Sequence, residues 1–167
     1  MKTLFLTWQD AVSRAWFPIG KLTHDGQRYC FVYIQGALQA QEQANFRPLL
    51  AFPDFYQTYT SIELFWPFAN RLLNKSRPEY PEFIDWLNLD SNGNPALIDP
   101  ITLLGRSGGK RVTDSFEVFS MPERNAAGEY EIHFFTHGLR HYPTSSQQRA
   151  AECVIGEELM LMHDIQN

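Results

Sequence analysis

Arg28-Tyr29-Cys30-Phe31-Val32-Tyr33-Ile34 is the most strand-like stretch of the chain. Successive side chains of a strand alternate, so Tyr29, Phe31 and Tyr33 share one face and Cys30, Val32 and Ile34 share the other. Both faces are apolar, and the segment is therefore expected inside a sheet. Immediately upstream, His24-Asp25-Gly26-Gln27 reads as a turn, because Asp-Gly between strand-like runs is a strong hairpin signal. Arg14 to Thr23 then forms the preceding strand. Pro18 lies within it and lacks an amide proton, which predicts an edge strand or one that begins after the proline. Thr3 to Trp8 reads as a further short strand.

Downstream of the strand, Gly36 to Ala44 is rich in Ala and Gln and reads as a short helix. Phe46 to Asp54 is irregular, with Pro48 and Pro53 marking bends. Ser61 can cap a helix running to about Leu73, with Ile62, Phe65, Trp66, Ala69, Leu72 and Leu73 as its apolar stripe. Pro67 within that stripe should kink the helix or move its start later. A second helix is expected over about Pro81 to Leu89, followed by a turn-rich linker over Asp90 to Pro95. Asp99 before Pro100 caps a short helix ending at Gly105.

Leu103-Leu104-Gly105-Arg106-Ser107-Gly108-Gly109-Lys110-Arg111-Val112-Thr113-Asp114 holds three of the ten glycines and three of the fourteen basic residues. It is the best candidate for a polar surface feature. Ser115 to Phe119 follows as a strand, Glu123 to Gly128 as a loop and Tyr130 to Phe135 as another strand. Thr144 or Ser145 is expected to cap a helix to about Val154, and Glu157 to Met162 to form a last strand. Met121-Pro122 through Gly128 is the most plausible internal boundary.

The 167 residues are enough to bury a core without staples. A composition of 44% hydrophobic and 20% charged residues is that of an ordinary globular protein. The 13 Phe, 7 Tyr and 4 Trp favour a core of large rings and an aromatic surface patch. A net charge of −5 argues against a surface that coats nucleic acid broadly, while leaving room for a local basic patch. Cys30 and Cys153 have neither disulfide-framework nor zinc-site spacing, and are read as buried free thiols in a reducing compartment. The N-terminal apolar run is too short for a signal peptide, and no stretch approaches the roughly 20 apolar residues of a membrane span. The expected location is the cytoplasm, with no membrane contact.

The glycine stretch invites comparison with a phosphate-binding P-loop, but the spacing fails. Leu104 stands where the first glycine should be, and Arg111 replaces the hydroxyl residue that would hold magnesium. A structural turn is the preferred reading. The alternative is a basic contact loop, in which Arg106, Lys110 and Arg111 reach phosphate or carboxylate. His133, His137 and His141 recur every four residues, but lie in strand-like sequence followed by Gly138, and no His-Glu-x-x-His motif supports a metal. Ser107 and Ser115 lack a nucleophile-elbow context. Asp114 could serve as a base, and more plausibly fixes the loop. No acid, base and nucleophile converge, so no catalytic residue, metal ligand or cofactor is assigned and the chain is not expected to be an enzyme.

Two parts of the chain resemble known families. Ile19-Gly20-Lys21-Leu22-Thr23 with Tyr29-Cys30-Phe31-Val32-Tyr33 resembles the opening hairpin of the N-terminal domain of HipA-type kinases. Phe65-x-x-Phe68-x-Asn70-Arg71-Leu72-Leu73 is similar to that family's Phe-Phe-x-Asn-Leu-Leu segment, and Leu103 to Gly109 to the helix and glycine turn that end the domain. This resemblance covers about residues 17–122 and implies a small α+β module over residues 1–122 that packs on a kinase core or acts alone as a regulator, as in toxin–antitoxin systems. The kinase core itself is far too long to fit, so none of its residues carries over.

Phe134 to Tyr142, Gly156-Glu157-Glu158-Leu159-Met160-Leu161 and Ile165-Gln166-Asn167 resemble the start of a HIRAN domain. That family forms OB-like β-barrels that bind DNA ends beside helicases or nucleases. The resemblance implies a partial HIRAN-like segment over residues 129–167, and Arg140, His141 and Tyr142 as nucleic-acid contacts. A base stacked on Tyr142 with Arg140 near a phosphate is sound chemistry.

The expected fold is therefore α+β: a small mixed or antiparallel sheet with an N-terminal hairpin and packed helices, followed by a partial OB-like tail. The expected function is a non-catalytic regulatory or interaction module. Its partner is a protein or nucleic acid, in the latter case single-stranded or 3′-ended DNA. The contact residues are Arg140, His141, Tyr142, Arg106, Lys110 and Arg111. The alternatives are a DNA-end binder acting with a helicase or nuclease, and a small nucleotide-binding enzyme.

Overall fold

The computed structural model describes residues 1–86, 99–109 and 115–120, together with 123–124, 126, 130–131, 134–136 and 139–141. Five strands form one sheet: β1 (Lys2–Gln9), β2 (Trp16–His24), β3 (Tyr29–Tyr33), β4 (Tyr59–Ser61) and β5 (Phe116–Ser120). Their order is β4-β3-β2-β1-β5, and every neighbouring pair is antiparallel. With α1 (Gln35–Ala44), α2 (Trp66–Ala69), α3 (Tyr80–Trp86) and α4 (Pro100–Ser107), the chain has an α+β fold. Two short hairpins follow the sheet. β6 (Glu123–Arg124) pairs with β7 (Tyr130–Glu131), and β8 (Phe134–Thr136) pairs with β9 (Leu139–His141).

β3 lies inside the sheet, as its two apolar faces require. Tyr29, Phe31 and Tyr33 are buried on one face, and Val32 and Ile34 are buried on the other. The turn before it closes as the Asp-Gly pair predicts. Asp25 Oδ1 accepts from the amides of Gln27 and Arg28, both at 2.8 Å, and Gly26 takes a φ of 103° that suits glycine. Those amides hold the Asp25 carboxyl below its usual range.

The main core lies on the face of Phe31. Leu4, Leu6, Ile19, Leu22, Tyr33 and Val118 meet Ala37 and Ala40 of α1, the loop residues Phe46, Phe52 and Phe55, Phe68 of α2, and Ile101 and Leu104 of α4. Phe31 stacks on Phe52 with ring centroids 4.1 Å apart. A smaller cluster joins Tyr80, Ile84 and Leu103. Helix α4 contributes to both clusters, Ile101 and Leu104 to one and Leu103 to the other, so it ties α3 to the sheet.

Several elements depart from the sequence expectation. Strand β2 is neither an edge strand nor one that starts after Pro18; it runs through the proline between β1 and β3. The register slips here, with Leu6 opposite Gly20 but Thr7 opposite Pro18. A bulge interrupts the ladder, so the missing amide proton is no loss. On the other side β3 pairs only with Gly20 to His24, so Pro18 sits beyond its end. The helix expected from Ser61 to Leu73 is also absent. Tyr59 to Ser61 pairs with Tyr29 to Phe31 as β4, and the Ser61 hydroxyl closes a turn on the Glu63 amide. Only Trp66–Ala69 is helical, with Pro67 in its first turn where a missing N–H is tolerated. Ile62 and Trp66, placed on the apolar stripe, are 73% and 58% exposed.

Helix α4 does not stop at Gly105 but continues to Ser107, with Gly108 at a φ of 72° as its left-handed cap. Gly105 serves packing instead: a Cβ there would stand 2.9 Å from Leu4 Cδ2. Glu123 and Arg124, expected in a loop, pair as β6, and the single strand expected over Tyr130 to Phe135 appears as parts of β7 and β8. Cys30 is half-buried rather than buried, and it is free. Cys153, Leu87 to Leu89, the Met121-Pro122 boundary, the helix before Val154 and the strand over Glu157 to Met162 lie outside the described residues. No helix among the described residues is long and apolar enough to cross a membrane.

Candidate functional site

The glycine turn leaves α4 with both glycine conformations in the left-handed region, Gly108 at 72° and Gly109 at 57°. The backbone polar groups of these two glycines are engaged internally. The Gly108 amide donates to the Leu104 carbonyl at 3.0 Å, and the Gly109 amide donates to Ser107 Oγ at 3.3 Å. The Gly108 carbonyl accepts from the Val118 amide at 2.7 Å, and the Gly109 carbonyl accepts from Arg71 Nη1 at 2.9 Å. The Arg71 guanidinium also lies over the Phe116 ring, 5.5 Å from its centroid. A phosphate loop works by presenting free amides to an anion. The amides of Gly108 and Gly109 are committed elsewhere, so this part of the turn braces α4 against β5. Ser107 is committed as well, since its hydroxyl lies 3.4 Å from the Leu104 carbonyl it donates to.

Beside the turn, one face of α4 and the start of β1 enclose an open depression of about 260 Å³, lined by Lys2, Thr3, Leu4, Ile101, Thr102, Gly105 and Arg106. The floor is apolar because Gly105 contributes no side chain above Leu4. At one end, Lys2 forms an ion pair with Asp99 and donates to Thr102 Oγ1 at 2.7 Å. Asp99 caps the helix through the Thr102 amide at 2.9 Å, as its place before Pro100 predicts. Burial pushes the Asp99 carboxyl up, but the hydrogen bonds from Lys2 and Thr102 outweigh this and hold it below the usual aspartate range. At the other end stands Arg106, half-buried in the last turn of α4. Among the described residues none accepts from its guanidinium.

The lowered Asp99 carboxyl fixes the sign of a pH effect. Its stabilisation is present above the ordinary aspartate range and is lost as pH falls through the lower folded value. Asp99→Asn keeps the cap and removes the charge, so its urea midpoint is expected to fall less than that of the wild type on acidification. Asp99→Ala loses the cap too, and is expected to cost about 1 kcal/mol at neutral pH. Urea unfolding of the three proteins from about pH 7 down to about pH 2, a window that passes the ordinary aspartate value of about 3.9 and extends below it, separates these effects.

Of the six sequence-assigned contact residues, Arg106 is described with its side chain, and Arg140 and His141 are placed by their backbone on β9. Lys110, Arg111 and Tyr142 lie outside the described residues, as do Asp114, His133 and His137. Strand β8, the partner of β9, runs close beside α4. The helix of Arg106 and the hairpin of Arg140 and His141 are thus neighbours. His24 is stacked on Tyr29, 4.1 Å between centroids. Among the described residues no three His, Cys, Asp or Glu side chains gather to hold a metal. Sequence reading missed Lys2, Thr102 and the depression itself. Lys2 and Asp99 lie 97 positions apart, and nothing local announces their pairing.

No family model, no curated protein and no solved structure matches this chain.

Proposed function

We propose that this chain is a non-catalytic interaction module, with HipA-N-terminal-like character over residues 1–122 and a HIRAN-like segment after it, that contacts nucleic acid. The observation that carries this reading is Arg106, a half-buried residue whose guanidinium has no acceptor among the described residues, on a helix running close beside the β8–β9 hairpin. Arg140 and His141 on that hairpin, with Lys110, Arg111 and Tyr142, complete the proposed contact surface. Arginine supplies a planar fork of donors for phosphate, and an aromatic ring supplies a stacking platform for a base. With a net charge of −5, such contact has to be local. Fluorescence anisotropy with labelled single-stranded DNA and a 3′-tailed duplex tests it. Saturable binding that weakens as KCl rises is expected, because phosphate contacts release counterions. Absence of salt-sensitive binding to either DNA would remove this reading.

A second reading, docking of a second copy of this chain, is favoured by the exposed Ile62 and Trp66 just beyond the edge strand β4. Tryptophan is highly buried on average, and is enriched at protein interfaces. Sedimentation equilibrium that finds association in the wild type and monomer in Trp66→Ala would support it. Monomer at every concentration of the wild type would exclude it.

A further inference from the structure

From the depression between β1 and α4 we infer a binding site for a small monocarboxylate with an apolar body. Lys2 and Asp99 neutralise one another at one end, which leaves the single positive charge of Arg106 at the other. Among the described residues no acceptor meets the Arg106 guanidinium, so its five donors are open to an anion. One fork complements one singly charged carboxylate through two parallel hydrogen bonds. The floor between the two ends is Leu4, Ile101 and Gly105, so the rest of the ligand is apolar.

Size narrows the ligand further. A space of about 260 Å³ lies just below the roughly 300–1,000 Å³ of drug-sized sites, and it is open on one side. It therefore suits a short aliphatic or single-ring acid lying along α4. Such a ligand places its carboxylate on Arg106 and its far end against the Lys2–Thr102 bridge. The absence of a side chain at Gly105 keeps the middle of the trough clear, while Leu4 beneath it fixes the depth. This site shares Arg106 with the nucleic-acid reading but does not rest on it, since its ligand is a free acid and its floor recognises methylenes rather than a sugar–phosphate chain.

The test titrates the intact chain with acetate, butanoate, hexanoate and inorganic phosphate, following backbone amide shifts by NMR. Saturable shifts centred on Thr3, Thr102 and Gly105 are expected, with affinity rising from acetate to hexanoate by up to about fourfold per methylene buried. Arg106→Gln is expected to weaken hexanoate by about tenfold or more, and Arg106→Lys by less, since it keeps the charge but loses the fork. The same spectra show whether each variant keeps its fold. Shifts that never saturate, equal affinity for acetate and hexanoate, phosphate binding as tightly as hexanoate, or unchanged hexanoate binding by a folded Arg106→Gln would each overturn the site. The DNA titration is done without added carboxylate, so failure of hexanoate to bind leaves the nucleic-acid reading standing, and failure of DNA to bind leaves this site standing.

Discussion

Replacing Gly36 by alanine is expected to destabilise the chain by about 3 kcal/mol or more. Gly36 lies in the first turn of α1, and an added Cβ would fall 1.8 Å from the Pro18 carbonyl oxygen and 2.9 Å from the Pro18 carbonyl carbon. Those atoms are backbone in a bulged, interior strand, so they cannot step aside as a side-chain methyl can. The helix must lift from the sheet, and Ala37 and Ala40, both fully buried, lose their packing with it. Alanine is the better helix former by nearly 1 kcal/mol, so propensity alone predicts the opposite sign. Urea unfolding of Gly36→Ala distinguishes the two. A midpoint equal to or above that of the wild type would mean that α1 does not sit this close to Pro18.

Removing one hydroxyl from the core is expected to be nearly as damaging. Tyr33 is fully buried, and its phenol donates to the Phe52 carbonyl and accepts from the Leu49 amide, both at 2.8 Å. Burial pushes its pKa well above the usual tyrosine value, so the proton needed for donation stays in place at any ordinary pH. These two bonds pin the loop between α1 and β4 onto the sheet. The same loop delivers Phe52 and Phe55 to the core, with the Phe55 ring edge-on to Tyr33 at 4.9 Å. Tyr33→Phe leaves the ring and removes both bonds, stranding a donor and an acceptor. The expected loss is about 2–4 kcal/mol by urea unfolding, at nearly constant core volume. Amide exchange at Leu49 should accelerate beyond what the global change explains. An unchanged midpoint with unchanged Leu49 exchange would contradict this role.

The parts of the fold that local chemistry determines were legible in the sequence. Alternating rings over Tyr29 to Tyr33 gave an interior strand, Asp25-Gly26 gave its turn, and Asp99-Pro100 gave the start of α4. Elements set by distant partners were not legible. Pro18 reads as an edge residue until the slip between Leu6 and Thr7 and the end of β3 supply its local surroundings. Tyr59 to Ser61 is strand only because β3 offers an edge, and the apolar spacing that follows it fits a helical stripe equally well. Gly105 and Gly108 are both plausible helix stops, and only the approach of Leu4 separates packing glycine from capping glycine.

The candidate site divides in the same way. Arg106 stood out as a basic residue on a glycine-rich stretch, of which the amides of Gly108 and Gly109 are turned inward. The depression could not be read, because β1 and α4 that form it lie about a hundred residues apart, as the Lys2–Thr102 hydrogen bond measures. Nor does any spacing rule show that the charge of Lys2 is used up by Asp99 while no described residue answers that of Arg106.

The most direct test of an interaction module built around Arg106 compares wild type and Arg106→Gln binding labelled single-stranded DNA across a KCl series. For the wild type, log Kd is expected to rise linearly with log salt. Arg106→Gln should bind more weakly, with a slope smaller by about 0.7, the loss of one phosphate contact. Identical affinities and slopes for the two folded proteins, or no binding by the wild type, would contradict it.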